Sequence, residues 1–362
     1  MDRTQILELL KDIQENNILL NWSTGVGKSL GAITLIQNKC PDCKKILIVI
    51  PKLALINNWT DEILKWDSSI LNKVTFSTYI SLPKHKDEYY DVIIFDEAHH
   101  LSQRCRRAFI KMQYGLMIAL SATIGKNVYD WLKYYKHIKT ISIGLRDAID
   151  NNILPDPMVY LIPLTLDNVK HKYPIKKFKK EILVTQKGYY IDICNKINFL
   201  KDVNQVAYLA KCNQRLKWLS NIKIDYVKQI LQYLQYYRTL TFCGSIEQAK
   251  VLGKYAIHSK DPHYKDIITM FNNKKIKHIT AIDILTEGMN LSDCRIGIFA
   301  HINGSQRLKL QKIGRILRHK SPIIIIPYYE NTREEEIIFK EMLYNYNKEL
   351  IHTITNIKDI KL

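Results

Sequence analysis

Short apolar runs alternate with amphipathic segments along the whole chain. In the first 150 residues the strand candidates are the runs at 18–20, 46–50, 74–79, 92–95 and 116–120. Continuous apolar runs of this length are typical of strands buried on both faces of a parallel sheet. Segments with helical spacing separate them, at 5–15, 30–36 and 53–66. The alternation, which continues through residue 145, predicts an α/β fold with a doubly wound parallel sheet.

The same alternation returns in the second half of the chain. Residues 151–157 hold two prolines and no periodicity, which predicts a linker. Beyond it we predict strands at 158–166, 239–243, 278–282, 296–300 and 323–326, the last closing the sheet, and helices at 245–258, 306–319 and 332–350. A chain of 362 residues is too long for one ordinary core. We therefore expect two domains, at 1–150 and 151–362.

A basic segment, residues 168–222, interrupts the second domain. The chain has a net charge of +19, and residues 151–240 carry 15 lysines and arginines against 6 acidic residues. Aromatic residues are interleaved with these lysines, namely Tyr173, Phe178, Tyr189 and Tyr190. We expect a mainly helical insertion. It would either bind phosphates and stack on bases, or form a solvated helical face with its aromatic side chains in the core. A generally lysine-rich composition, as in AT-rich genomes, is an alternative source of the charge.

Composition argues against several other classes of protein. No apolar run approaches the ~20 residues that a membrane span needs, and the N-terminus lacks a secretory pattern. We therefore expect a cytoplasmic protein, in the host cytoplasm if the chain is phage or viral. Of the seven cysteines, only Cys40 and Cys43 have the spacing of metal ligands, and no second such pair completes a zinc site.

The strongest local signal is the stretch Ser23–Ser29, which follows an apolar run and opens a helix. A glycine-containing loop between a strand and a helix points backbone N–H groups at a phosphate. Lys28 would reach the β- and γ-phosphates, and the Ser29 hydroxyl would ligate Mg²⁺. The strict pattern has glycine where Trp22 stands. The expected nucleotide contacts are Thr24, Gly25, Val26, Gly27, Lys28 and Ser29.

Two adjacent acids, Asp96 and Glu97, follow the apolar run 92–95. Ligands bind at the carboxyl ends of strands in open α/β sheets. Asp96 would hold Mg²⁺ through water, and Glu97 would orient and deprotonate an attacking water. The alternative is a helix N-terminus enriched in acids. Ser121 and Thr123 follow the next apolar run, where their hydroxyls would bond the acidic pair and report the nucleotide state.

Further candidates lie near the two ends of the chain. Arg3 and Gln5 stand ahead of the phosphate loop, and the paired donor and acceptor of a glutamine can read an adenine edge. Gln311, Arg315 and Arg318 share one face of a predicted helix. Arginines there would stabilise charge on the γ-phosphoryl group, whereas a solvated basic face is the alternative.

Taken in order, these segments resemble the motifs of superfamily 2 helicases and translocases, the DEAD/DEAH-like proteins. Motif I resembles Ser23–Ser29, motif II is DEAH at Asp96–His99, motif III is Ser121–Thr123, and 311–318 matches the QxxGRxxR of motif VI. The compact phage and viral members near the Swi/Snf-like and repair-helicase branches look most similar. Positions similar to the nucleic-acid and remaining motifs are Pro51, Lys52, Thr78, Tyr79, Gly244, Ser245, Thr286, Glu287, Gly288 and Asn290.

The resemblance implies two tandem RecA-like domains with ATP and Mg²⁺ as cofactors. Glu287 and Gly288 would contact the nucleotide, and His99, Ser121 and Thr123 would couple hydrolysis to movement. It implies an ATP-dependent translocase or helicase acting on nucleic acid, single-stranded or duplex with a single-stranded region. We expect DNA rather than RNA, and a monomer. The alternatives are a clamp, annealing or remodelling ATPase without strand separation, and an RNA helicase.

Overall fold

The computed structural model describes residues 3–177, 180–258, 261–282, 291, 293–303 and 319–362. They form two compact units, one made of residues 3–155 and the other of the described residues from Asp156 onward. Among the described residues, no helix combines the length and the apolar character needed to cross a membrane.

The first unit is built on a parallel sheet. Its strands are β1 (Asn17–Trp22), β2 (Ile46–Ile50), β3 (Val74–Thr78), β4 (Tyr89–Phe95), β5 (Gln113–Ser121) and β6 (Lys139–Ile143). Their order is β3-β2-β4-β5-β1-β6, with every neighbouring pair parallel. Only β5 separates β1 from β4, so the carboxyl ends of these two strands meet at one edge. The sequence predicted β1 to β5 but not β6.

Helices cover this sheet. They are α1 (Arg3–Leu9), α2 (Lys28–Lys39), α3 (Ile56–Trp66), α4 (Gln103–Ile110), α5 (Lys126–Lys136) and α6 (Leu145–Asp150). All five residues of β2 are buried, as are the last four of β4, which is why both segments are continuously apolar. The first helix ends at Leu9, earlier than the predicted end at residue 15.

The second unit contains a larger sheet, whose described strands are all parallel. They are β7 (Met158–Leu164), β10 (Thr239–Phe242), β11 (Ala256–Ile257), β12 (His278–Ala281), β13 (Ile296–Phe299), β14 (Ile323–Tyr329) and β15 (Ile351–Thr353). Their order is β11-β12-β10-β13-β14-β7-β15. The strand predicted at 323–326 therefore does not close the sheet, because β7 and β15 lie beyond it. Both units are parallel-sheet α/β domains, as predicted.

The basic insertion begins with a hairpin rather than a helix. Strands β8 (Tyr173–Lys177) and β9 (Lys180–Val184) pair antiparallel, with Ile175 opposite Ile182. A cross-strand pair of β-branched side chains favours strand pairing, and the lysine-rich composition had masked it. The remainder is helical, as predicted. The described helices of this unit are α7 (Gln186–Leu200), α8 (Gln205–Ile222), α9 (Ile224–Tyr233), α10 (Ile246–Leu252), α11 (Tyr264–Asn272) and α12 (Arg333–Ile337).

Two predicted helices of the second unit are shorter in the structure. The helix expected over 245–258 ends at Leu252 and gives way to β11. The helix expected over 332–350 is α-helical only in α12, after which a π turn and short 3₁₀ turns follow. In the last of these turns, Asn347 Oδ1 accepts from the Glu349 N–H at 3.1 Å. Such local side-chain bonds compete with a continuous helix. The helix predicted at 306–319 lies almost entirely outside the described residues.

A fully buried ion pair links the start of α9 to α12. Lys223 Nζ lies 2.6 Å from Glu334 Oε1 and also donates to the Pro327 carbonyl at 3.0 Å. The other carboxylate oxygen of Glu334 accepts from the Tyr329 N–H at 3.2 Å. Burial lowers the pKa of Lys223 and raises the pKa of Glu334, while their mutual attraction opposes both shifts. Each charge is thus compensated by a partner and by backbone groups.

Candidate nucleotide site

The phosphate loop (Ser23–Ser29) connects β1 to α2. Gly25 has φ of 95° and Gly27 has φ of 109°, conformations that favour glycine because a Cβ would be strained. The Ser23 N–H donates to the Ile143 carbonyl at 2.8 Å, which fastens the loop to the end of β6. Gly27 directly precedes Lys28, the first residue of α2. The loop therefore presents backbone donors at a helix N-terminus, an arrangement suited to an anion.

Trp22 takes the place of a motif glycine because its side chain belongs to the core. The residue is fully buried, and a Cβ built on Gly31 would lie 2.7 Å from its Cζ3 atom. Gly31 thus makes room for the indole beneath the first turn of α2. The Trp22 carbonyl meanwhile accepts from Lys28 Nζ at 3.2 Å. The departure from the pattern leaves the loop and its lysine in place.

Asp96 follows β4 and is held from two sides. Trp59 Nε1 donates to Asp96 Oδ2 at 2.9 Å, and the Tyr79 hydroxyl donates to the Asp96 carbonyl at 2.7 Å. Burial and the neighbouring charge of Glu97 raise the pKa of Asp96 to about 6, against the opposing effects of Trp59 and of the Lys28 charge. Asp96 is therefore mostly ionised at pH 7, within electrostatic reach of the lysine.

Glu97 adopts a left-handed backbone conformation with φ of 53°. A non-glycine residue in this region stores strain of about 1–3 kcal/mol and often marks a functional site. Its Oε2 atom lies 3.3 Å from His99 Nδ1, and both side chains are largely shielded from solvent. Ser121 Oγ lies 3.5 Å from the same nitrogen and donates to the Thr123 carbonyl at 2.8 Å. The hydroxyls of Ser121 and Thr123 were predicted to bond the acid pair, but Ser121 contacts His99 instead and Thr123 Oγ1 has no partner among the described residues. Of these three residues, only His99 contacts Glu97 directly.

Several polar atoms at this edge of the sheet are buried without a hydrogen-bond partner among the described residues. Among them are Ser23 Oγ, His99 Nε2 and Thr123 Oγ1, and Trp22 Nε1 beneath the loop is another. Buried polar groups are normally paired, so unpaired ones call for a ligand, water or another segment. Hydroxyl and imidazole groups beside a carboxylate pair suit a polar, anionic ligand with a bound divalent cation. The residues present therefore fit a nucleotide with Mg²⁺.

The predicted nucleic-acid contacts of the first unit lie beside this site. Pro51 and Lys52 follow β2, and Thr78 ends β3. Tyr79 was predicted to contact nucleic acid, whereas its buried side chain supports Asp96 as described. This role and that of Trp59 were not predicted, because both depend on contacts between distant segments. Arg3 opens α1, and Gln5 lies exposed on that helix.

Gly244 and Ser245 lie at the end of β10 in the second unit. The Gly244 N–H donates to Gln248 Oε1 at 2.8 Å, and Ser245 Oγ accepts from the Gln248 N–H at 3.1 Å. Gln248 Nε2 donates to the Ser220 carbonyl at 2.8 Å, and Ser220 Oγ lies 2.7 Å from His301 Nδ1. These residues join α8, α10 and β13 in one buried network. Their contact with nucleic acid remains a prediction.

The remaining predicted site residues lie outside the described part of the chain. They are Thr286, Glu287, Gly288, Asn290, Gln311, Arg315 and Arg318.

Two family models match the chain. Residues 2–126 match the model described as type III restriction enzyme, res subunit, and residues 214–320 match the helicase conserved C-terminal domain. These two domains indicate a superfamily 2 helicase. The first match spans the phosphate loop and the acid pair, so the site described above lies within the region that this model matches.

Individual relatives agree with this assignment. The chain is 24% identical to the DNA 3'-5' translocase XPB2 of Sulfurisphaera tokodaii, over 85% of this chain and 76% of the relative. It is 28% identical to a candidate helicase, 161L, of Invertebrate iridescent virus 6, over 31% of this chain and 30% of the relative. A solved structure of a Dbp5 variant of S. cerevisiae, bound to RNA and ADP BeF3, superposes with a TM-score of 0.64 at 12% identity, over 98% and 89% of the two chains. The chain thus shares the fold of RecA-like domains.

Proposed function

We propose that this superfamily 2 helicase is a nucleic-acid-stimulated ATPase that moves along or unwinds DNA. The observation that carries the proposal is the edge of the first sheet, where a lysine-bearing phosphate loop and a buried acid pair follow β1 and β4. Lys28 is close enough to Asp96 for its charge to lower the pKa of that carboxyl group. Such a pair of elements is what phosphoryl transfer from a nucleoside triphosphate requires.

Residues of the first unit would hold the nucleotide and its metal. The N–H groups of Thr24–Gly27 would bind phosphate oxygens, with Lys28 as a cationic contact and Arg3 and Gln5 at the adenine. Ser29 and Asp96 would hold Mg²⁺, since a hydroxyl and a carboxylate supply the oxygen ligands that it prefers. When bound, Mg²⁺ would neutralise charge that develops on the phosphates.

Glu97 would act as the base that orients and deprotonates the attacking water. His99 lies 3.3 Å from its carboxylate, and the left-handed backbone fixes the direction from which the side chain departs. A carboxylate in this position can accept the proton of the water as the bond to the phosphorus forms. His99, Ser121 and Thr123 would transmit the state of the nucleotide.

The test is the substitution Glu97→Gln, which keeps the size of the side chain and removes the base. We expect ATP binding to persist while turnover falls by about 10²–10⁴, the usual contribution of a general base. Glu88→Gln is the matched control, because Glu88 is a surface carboxylate paired with Lys45. Steady-state hydrolysis and binding of a fluorescent ATP analogue measure the two quantities. A Glu97→Gln variant with normal turnover would contradict the proposal.

Gln311, Arg315 and Arg318 are proposed to stabilise charge on the γ-phosphoryl group. Removing such an arginine is expected to lower hydrolysis by about 10³ or more, since arginine fingers contribute that much in related chemistry. Arg315→Ala and Arg318→Ala should therefore abolish most turnover while nucleotide binding persists. Arg333→Ala is a suitable control, because that arginine pairs with Glu336 on the second unit. Retention of more than a tenth of the rate in both variants would exclude this role.

DNA is proposed as the track, as single strands or as duplex with a single-stranded region, engaged by one copy of the chain. The relative named a DNA translocase supports this choice, and the basic second half supports contact with phosphates. A place among the compact phage and viral members is proposed from the similarity to the viral 161L protein. Stimulation of ATP hydrolysis by single-stranded DNA, duplex DNA and RNA, compared side by side, tests the track. Stimulation by RNA alone would overturn the choice of DNA.

A further inference from the structure

A pocket of about 360 Å³ opens to solvent on the helical part of the basic insertion. It lies on α7 and α8, and all of its lining residues belong to the second unit. Its volume is within the range of sites that bind small organic groups. The lining residues are Tyr189, Ala210, Asn213, Gln214, Lys217, Trp218 and Asn221.

Aromatic rings form one wall of this pocket. The ring centroids of Tyr189 and Trp218 lie 4.8 Å apart, and Tyr173 of β8 packs against both at 5.7 and 5.5 Å. Tyr189 and Trp218 are only half-buried, so part of each ring surface faces outward. Trp218 Nε1 is buried and has no hydrogen-bond partner among the described residues. The wall is thus held in place by Tyr173 and retains both an exposed aromatic surface and an unused donor.

Amide and ammonium groups make up the polar part of the lining. Asn213, Gln214 and Asn221 are exposed, and Gln214 Oε1 accepts from Lys211 Nζ at 2.8 Å. Lys217 is also exposed. Residues 168–222 as a whole hold 12 lysines and arginines against 3 acidic residues. The pocket therefore combines stacking surface, groups that donate and accept hydrogen bonds, and a cationic surround.

We propose that this pocket binds an unpaired base of a single-stranded nucleic acid. The base stacks on the Tyr189–Trp218 wall, the amides contact its edge, and Lys211 and Lys217 contact the flanking phosphates. A site for phosphate alone would need no aromatic wall. A base within a duplex would have its faces covered by its neighbours. The proposal rests on the proposed function and adds the form of the substrate: single strands engaged through their bases by the insertion.

Trp218 provides a direct signal, because it is the one tryptophan between residues 156 and 362. The probes are an oligodeoxythymidylate of about 20 nucleotides, longer than a typical single-strand site, and an abasic oligomer of equal length and charge. Binding is measured without ATP, by fluorescence anisotropy of a label on the oligomer and by tryptophan emission. We expect the oligodeoxythymidylate, and not the abasic oligomer, to change an emission component that the Trp218→Phe variant lacks.

The decisive variant is Tyr189→Leu. Stacking on an aromatic side chain accounts for roughly tenfold in affinity per base, so we expect about that loss for the oligodeoxythymidylate and little for the abasic oligomer. Tyr189→Phe should restore binding, because the ring and not the hydroxyl is required. Tyr208→Leu, on α8 but outside the pocket lining, should bind like the unaltered protein. Thermal unfolding of each variant shows whether the fold is retained.

Two outcomes would overturn the proposal that this pocket binds a base. Equal losses on both oligomers would mean that the insertion provides only a phosphate track, and unchanged binding with a lowered melting temperature would mean that the rings serve as core. The proposed function fails by a different observation, namely ATP hydrolysis by the unaltered protein that no nucleic acid stimulates. Because binding is measured without ATP, either idea can fail while the other stands.

Discussion

The polar groups that follow β1, β4 and β5 in the first unit differ in their hydrogen bonding from those that follow β10 and β13 in the second. In the first unit, Ser23, His99 and Thr123 each hold a buried polar atom with no partner among the described residues, and Glu97 is strained. In the second unit, the groups after β10 and β13 are bonded to one another, through Gln248 and the Ser220–His301 contact. Polar atoms of the first edge can therefore still bond a ligand, whereas the groups of this part of the second unit already bond one another.

The difference teaches which edge is built to respond to a ligand. A buried polar atom without a partner destabilises the fold by about 1–3 kcal/mol, and a strained backbone residue by a similar amount. A ligand that satisfies such atoms recovers this free energy and so changes the stability of its surroundings. A saturated network offers no such gain. A bound ligand would therefore stabilise the first edge more than the network of the second unit.

The largest expected effect concerns the buried ion pair of the second unit, Lys223 with Glu334. Glu334→Gln removes the negative charge from the fully buried pair with Lys223, and breaking such a pair by removing one partner is worth about 3–5 kcal/mol. The midpoint of denaturant unfolding of the second unit should therefore move to a lower denaturant concentration. Asp225→Asn, which removes an exposed partner of Lys228, should change little. The double variant Lys223→Met/Glu334→Leu should recover only part of the loss, because the Pro327 carbonyl and the Tyr329 N–H lose their side-chain partners. A single variant as stable as the parent would show that the second unit does not depend on this pair.

A smaller effect is expected at the base of the phosphate loop. Gly31→Ala places a methyl group 2.7 Å from the Trp22 ring, and overpacking of this kind destabilises by about 1–3 kcal/mol. Because α2 carries Lys28, the affinity for ATP should fall as well. Gly125→Ala is the matched control, since nothing lies within 4 Å of the added carbon. Calorimetric titration with a non-hydrolysable ATP analogue measures the change. Equal affinities for the analogue in the two variants would show that nucleotide binding by the loop does not depend on the packing of Gly31 against Trp22.

The smallest effect is a dependence on pH. Asp96 must be ionised to hold a cation, and its raised pKa of about 6 predicts that kcat/KM falls as the pH drops through 6. Trp59→Phe removes a bond that favours the ionised form, so the fall should move to higher pH. Since the pKa is higher in the folded state, the contribution of Asp96 to stability is present below pH 4 and is lost as the pH rises through 6. Asp96→Asn should abolish that pH-dependent loss. Profiles that coincide for the parent and Trp59→Phe would contradict this account.

The sequence predicted the parts of the site that depend on local order. A glycine loop after one strand and two acids after another lie at the same edge of a sheet when the strands are parallel. The sequence alone could therefore assign Lys28, Asp96 and Glu97 to that edge. Trp59 could not be assigned, because nothing in its helix shows which distant group its N–H reaches. The hairpin of β8 and β9 was missed since lysines obscured the pairing of Ile175 with Ile182. Short edge strands such as β15 carry too few apolar residues to be detected.

The pairing of a large ring at position 22 with a missing side chain at position 31 has a consequence for how such chains diverge. Neither position tolerates a change alone. Glycine at 22 would leave a void under the helix, and a larger residue at 31 would collide with the indole. The two positions must therefore change together. A chain with tryptophan at the first position of this phosphate-loop pattern is therefore expected to have glycine nine residues later.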